Sequence, residues 1–442
     1  VSRGLGDVYK RQVLGSLTEA VKAQSSVDAE WSRLKKIFAS PQLQMVSFTI
    51  TEKGYALRDA KGEYFPFIRS DIDNGPDKAS SAMAVVSALL YERFNTCKAP
   101  LAVVSMDNCS HNGEKLRNSI TDMVGEWQKK GFVSEDFVQY VNDENTISFP
   151  WSMIDKITPR PADTVAESLK EAGVEDMDPV ITSKRTYIAP FVNAEGPQYL
   201  VIEDRFPNGR PQLEKAGVYM TDRDTVNKVE RMKVTTCLNP LHTALAVYGC
   251  VLGYDLIADE MKDKELSELV KRIGLVEGMP VVTNPGIIDP EKFADEVINV
   301  RIPNPFMPDT PQRIATDTSQ KVGIRYGETI KSYVAKDGSA RALTAIPLAI
   351  AGWCRYLLGI DDNGEAFELS PDPMADELKC QLDGIVWGES SSYTGQLKNL
   401  LSNANIFGIN LYEAGIGDKI EEMFVEEISG KGAIRETLKK YL

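Results

Sequence analysis

"PLAVVSMDNCSHNGEKLRNSITDMVGEWQKKG" (100–131) decides the fold class. Its first part, PLAVVSMDN (100–108), is a short apolar run that ends in polar residues. Runs of this kind are strands buried on both faces, as in parallel sheets. Its second part, NGEKLRNSITDMVGEWQKKG (112–131), carries apolar residues at helical spacing. It closes on Lys129, Lys130 and Gly131, a helix-stop signal. Working outward, VSFTITEKG (46–54) reads as a strand, KASSAMAVVSALLYERFN (78–95) as a helix and QYLVIED (198–204) as another buried strand. Strands alternating with helices predict an α/β domain with a parallel sheet. Such sheets bind ligands at the carboxyl ends of their strands. SMDNCSHNG (105–113) stands at one of those ends.

After about residue 222 the pattern changes. NPLHTALAVYGCVLGYDLIADEM (239–261), KDKELSELVKRIGLVEG (262–278), PEKFADEVINVRI (290–302), QKVGIRYGETIKSYVAK (320–336) and DELKCQLDGIV (376–386) are successive helical patterns. The expectation is an α/β domain over 13–222 and an all-α, mostly helical domain over 223–442, with the active site in the cleft between them. Residues 1–12, VSRGLGDVYKRQ, have no hydrophobic period and read as a non-native tail that leads nowhere structurally. GLGDVY (4–9) half-matches G-x-G-x-x-G but lacks the third small residue and a preceding strand. It is not read as a phosphate loop.

Composition narrows the function classes. A net charge of -14 argues against a nucleic-acid partner, which needs a basic surface. It leaves room for an anionic small molecule held by two or three local cations. Six scattered cysteines without a C-x-x-C pair argue against a disulfide framework or a structural zinc site, and fit a reducing cytoplasm. LTAIPLAIAGWC (343–354) is too short to span a bilayer and reads as a buried helix.

One of only two histidines lies in KVTTCLNPLHTAL (233–245). Asn239 followed by Pro240 is a helix-start signal, with Asn as the cap and Pro at the first helical position. His242 then falls in the first turn. VTTCL (234–238) is β-branched and reads as extended, with Lys233 at its far end. Taken locally, this is either a capping Asn, a structural His and a surface Lys, or a set converging on one site.

Five motifs in order favour the second. Lys233…Asn239-x-x-His242, SMDNCSHNGEKLR (105–117), FPWSMIDKITP (149–159), YLVIEDRFPNGRPQLEKAGV (199–218) and DTPQRIATDTSQK (309–321) together resemble the polyol-specific long-chain dehydrogenase family. That family includes mannitol 2-dehydrogenases and the reductases of fructuronate and tagaturonate. The resemblance covers most of the chain. It implies a truncated Rossmann-like domain ahead of the helical one, and zinc-independent hydride transfer between NAD, or NADP, and a secondary alcohol or ketone.

It also implies roles. Lys233 would be the acid–base group. A lysine pKa of about 10.4 is high for that task, and partial burial near other cations would lower it. Asn239 and Asn108 would hydrogen-bond the developing alkoxide. His242, Arg313 and Lys321 would hold substrate hydroxyls or a carboxylate, and Asp155 a substrate contact. His111 reads as structural. The family pattern has four residues between Lys and Asn, whereas this chain has five (234–238), which a bulge would absorb. The family's glycine-rich pyrophosphate loop is not found in residues 13–80, so the expectation is that a first βαβ unit of about 30 residues precedes this sequence, and no cofactor-binding residue is assigned. The substrate expectation is fructuronate and mannonate. Mannitol, tagaturonate and a non-catalytic relative that keeps the fold are the alternatives.

Overall fold

The computed structural model describes residues 2–3, 9–10, 14–182, 185–305 and 309–442. Residues 4–8 of the GLGDVY match lie outside them. The chain forms two compact units. One comprises residues 11–156 and 198–230, the other residues 1–10, 157–197 and 231–442. Residues 157–197, expected in the α/β domain, thus pack within the helical unit.

In the first unit, Met45–Phe48, Leu101–Ser105 and Ile147–Ser148 form a parallel sheet with Leu101–Ser105 in the middle. Every residue of that middle strand is buried. Parallel pairing buries both faces, which is why LAVVS is apolar without alternation. Helix Asn112–Lys129 buries Leu116, Ile120, Met123, Val124 and Trp127, one stripe at helical spacing. The Trp127 indole donates to the Asp71 carbonyl (3.0 Å), so the largest side chain of the stripe leaves no polar atom unpaired. The second sheet of this unit is mixed. Tyr199–Glu203 runs parallel to Tyr219–Thr221 but antiparallel to Ser152–Asp155. Burial alone does not set the direction of a neighbouring strand, and here one neighbour is reversed.

In the second unit, residues 239–442 form helices and turns, with only isolated bridges at Ile360–Ala366 and Val386–Glu389 among the described residues. Helix Asn239–Leu252 ends at Gly253, whose φ of 77° is open to glycine at little cost. Helix Ala345–Tyr356 is buried along its whole length, as its apolar sequence requires. The opening residues do take part in structure. Ser2–Arg3 pairs with Tyr9–Lys10 and runs parallel to Ala194–Glu195, contrary to the expectation for the first twelve residues.

Four turns of the helical unit have a form the sequence did not announce. Lys233–Cys237, Arg272–Gly278, Val297–Arg301 and Gly323–Gly327 are π-helical turns. A π-turn holds one more residue than an α-turn and is found most often at functional sites. Three of them pack together: Thr236 meets Gly278, where a Cβ would lie 2.7 Å from its methyl. The first and the last of the four also pack against each other.

Candidate active site

Lys233 opens the first π-turn and is 3 % exposed. Its carbonyl accepts from the Leu238 amide (3.1 Å), a five-residue step. VTTCL is therefore helical, not extended. Its β-branched residues are accommodated because tertiary packing overrides a weak intrinsic preference. Thr235 Oγ1 donates back to the Arg231 carbonyl (2.8 Å), and Thr329 Oγ1 donates to the Thr235 carbonyl (3.2 Å). These bonds fix the widened turn. They also account for the fifth residue between Lys233 and Asn239, because the π-turn takes up an extra residue without displacing the helix that follows.

That helix starts one residue earlier than the Asn-Pro signal indicated. Leu238 is the cap residue, with no side-chain cap bond, and Asn239 is the first helical residue. The Asn239 side chain is thus not used for capping. It is half-buried and makes no hydrogen bond to a described residue. Asn239 and His242 share the first turn, and Lys233 stands on the turn just before it. His242 is half-buried and lines a cavity of about 20 Å³ with Leu238, Ile257, Arg301, Ile302 and Asp309. That volume suffices for one water molecule. Arg301 is held there by Glu195, with Nε at 3.1 Å and Nη2 at 2.9 Å, in a pair 3 % and 1 % exposed.

The two expected cations differ. Arg313 is 70 % exposed, and its Nε donates to Asp309 (2.6 Å). Lys321 is half-buried, and its Nζ donates to the Thr316 carbonyl (2.5 Å). Burial, and then the charge of Arg325, hold the Lys321 amine below its ordinary pKa.

In the α/β unit, Asn108 is exposed, just past the carboxyl end of Leu101–Ser105. Its neighbours hold the loop. Asp107 accepts from the Ile50 amide (3.0 Å), the Thr51 amide (2.8 Å) and the Tyr55 hydroxyl (2.5 Å). Asn112 donates to the Asp107 carbonyl (3.0 Å) and to Ser152 Oγ (2.9 Å), and accepts from the Ser152 amide (3.0 Å). At Gly113 a Cβ would lie 2.6 Å from Trp151 and 2.7 Å from the Phe149 carbonyl. His111 takes a left-handed φ of 50°, stacks on Trp151 at 4.4 Å and bonds Asn227 through Nε2 (3.2 Å). The motif is therefore mostly loop architecture around one exposed amide. Asp155 is buried at the end of Ser152–Asp155, opposite Tyr199.

Beside His242 the structure places Arg301 and its partner Glu195, which the sequence does not single out. Glu195 and Arg301 lie 106 residues apart, so no local pattern joins them. Among the described residues, no group of three or more His, Cys, Asp or Glu side chains is placed to hold a metal ion. No described helix is long and apolar enough to cross a membrane.

Residues 10–215 match the mannitol dehydrogenase Rossmann domain and residues 225–427 the mannitol dehydrogenase C-terminal domain. The chain belongs to the mannitol dehydrogenase family. It is 54% identical to the D-mannonate oxidoreductase of Thermotoga maritima over 98% of this chain and 80% of that protein. It is 28% identical to a mannitol 2-dehydrogenase of Aspergillus fumigatus over 97% of this chain and 79% of that protein. Among solved structures it is similar to Pseudomonas fluorescens mannitol 2-dehydrogenase in ternary complex with NAD and D-mannitol. That match has a TM-score of 0.64 and 25% identity, and covers 97% of this chain and 79% of that one. A D-sorbitol dehydrogenase in substrate-free form matches with a TM-score of 0.70 and 26% identity over 91% and 78% of the two chains.

Proposed function

We propose that this protein is an NAD-dependent oxidoreductase that interconverts a hexuronate keto-acid and its aldonate, fructuronate and mannonate. The observation that carries the reading is the 54% identity over 98% of the chain to a D-mannonate oxidoreductase. In support, the Lys233–Asn239–His242 set keeps consecutive turns of one helical segment despite its extra residue.

No cofactor-binding residue is assigned. The Asn108 amide stands exposed just past the carboxyl end of Leu101–Ser105, where parallel sheets bind ligands, beside a loop pinned by Asp107. No glycine-rich strand-to-helix turn occurs among the described residues, and no phosphate seat is assigned. When bound, the nicotinamide supplies the hydride acceptor. The protein's own part is proton transfer and orientation. In the oxidative direction, Lys233 Nζ takes the proton from the reacting hydroxyl as the C–H leaves as hydride. In the reductive direction it returns that proton to the alkoxide. The unused Asn239 amide donates to the alkoxide and stabilises its charge. His242 orients a neighbouring hydroxyl. Asn108 is assigned with Asn239 to the alkoxide, Lys321 and Arg313 to substrate hydroxyls or the carboxylate, and Asp155 to a substrate contact.

The test is a substrate panel. Loss of NADH is followed with fructuronate, tagaturonate and fructose, and gain of NADH with mannitol. The expected result is the highest kcat/KM with fructuronate. Preference for fructose and mannitol overturns the uronate reading. Absence of hydride transfer with all four, from folded protein, favours a non-catalytic relative.

A further inference from the structure

The buried or half-buried arginines of the helical unit are satisfied with one exception. Arg355 donates to the carbonyls of Ile360, Asp361 and Glu427, and Arg301 is forked onto Glu195. Arg325 is different. It lies on the π-turn Gly323–Gly327, and its Nη1 donates to Thr243 Oγ1 (2.5 Å). It makes no other side-chain hydrogen bond and no ion pair with a described residue. A guanidinium has five N–H donors, so one edge of the fork, Nε and Nη2, is uncommitted.

The position of that edge is fixed by its partner. Thr243 Oγ1 donates to the Asn239 carbonyl (3.0 Å), so Arg325 reaches the Asn239–Thr243 face of the helix that carries the candidate catalytic residues. Tyr326, next in the chain, donates its hydroxyl to the Pro240 carbonyl (2.9 Å) and anchors the π-turn on that same first turn. Lys321 lies four residues before Arg325, joined through its carbonyl to the Arg325 amide (3.0 Å), and it too has no carboxylate in ion-pair range. Two cations one turn apart and half out of water, neither with a carboxylate at ion-pair distance, are costly unless an anion completes them, and Asp317 and Asp372 act on Lys321 only from further off. Burial pushes the Arg325 guanidinium down to about 10, in keeping with that cost. Arg313, by contrast, is already paired with Asp309.

We propose that Arg325, together with Lys321, binds the carboxylate of the substrate and thereby sets the preference for a keto-acid over a neutral polyol. The inference rests on the uronate reading above. The free Nε–Nη2 edge matches the two oxygens of a carboxylate, and Lys321 adds a point charge. A terminal hydroxymethyl group leaves both cations unpaired, which discriminates against mannitol and fructose.

The test compares the unaltered protein with Arg325→Gln and Arg325→Lys. Affinities for D-mannonate and D-mannitol are measured by calorimetry, and kcat/KM for fructuronate and fructose by NADH loss. Losing hydrogen bonds to a charged group corresponds to about 10- to 100-fold. Arg325→Gln is expected to weaken mannonate and fructuronate by that factor and to leave mannitol and fructose within about 3-fold, well below the effect of a charged hydrogen bond. Arg325→Lys, which keeps the charge but loses the fork, should fall between. Unchanged mannonate affinity, or an equal loss for mannonate and mannitol, overturns the inference. If Arg325→Gln does not fold, the same comparison is made on Arg325→Lys alone, where an unchanged mannonate-to-mannitol ratio overturns it. A preference of the unaltered protein for fructose shows instead that the uronate reading has failed.

Discussion

Lys233 is the residue on which the proposed chemistry turns, and its surroundings shape the choice of substitution. It is buried within a widened helical turn, so truncation to alanine would remove packing as well as the amine. Lys233→Met keeps the aliphatic stem and removes only the basic nitrogen. The expected loss in kcat is roughly 10²–10⁴-fold, the contribution of a positioned acid–base group. A melting curve checks that the variant is folded. Near-normal turnover in Lys233→Met would move the proton transfer to another residue. The sequence proposes the three residues of this set together because they stand within ten positions of one another in one motif. Arg325 was not, since nothing in KVGIRYGE separates it from a surface arginine. Its character comes from a partner it lacks, and only the packing of the π-turn on Thr243 makes that visible.

At the scale of elements, periodicity located the helices and missed their widening. Helix Asn112–Lys129 and strand Leu101–Ser105 match the stretches read for them, because each buries a face with its own period. A π-turn changes that period by one residue over a single turn, too little to stand out from ordinary irregularity. The helix cap at Leu238 escaped for a related reason. Asn-Pro signals a start, but the φ of −134° that ends the π-turn falls on Leu238, not on Asn239. A further device is invisible to any local reading. The Glu277 carboxylate accepts from the amides of Thr344 (2.6 Å), Ala345 (2.7 Å) and Ile346 (2.8 Å), the free donors at the start of the fully buried helix Ala345–Tyr356. It thus caps a helix 67 residues away. Glu277→Gln replaces one accepting oxygen with a donor that faces an amide, and should cost about 1–3 kcal/mol. Denaturant unfolding checks this. A loss well under about 0.5 kcal/mol, the low end for one hydrogen bond, would mean that the amides find other acceptors.

At the scale of the whole molecule, the helical unit stores acidic groups in its core. Glu427 is fully buried, accepts from Tyr248 (2.7 Å) and has its second oxygen unpaired among the described residues. Burial pushes its carboxyl up to about 8, against an ordinary 4.5. Burial raises Glu260 as well, both of whose oxygens are unpaired among the described residues. Between about pH 4.5 and 8 the folded protein therefore keeps the Glu427 proton that the unfolded chain gives up. The folded state then binds more protons, and stability falls as pH rises through that window and levels off above it. One such group contributes a slope of up to about 1.4 kcal/mol per pH unit. Glu427→Gln keeps the acceptor for Tyr248 and cannot ionise. Its unfolding free energy, measured in denaturant at a series of pH values, should decline less steeply than that of the unaltered protein between pH 5 and 8, with the two converging toward the acid end. Parallel curves would mean that Glu427 is already ionised at neutral pH. That outcome would require a cation to approach its second oxygen, and Arg355 is the group placed to do so, since its Nε already donates to the Glu427 carbonyl at 3.3 Å.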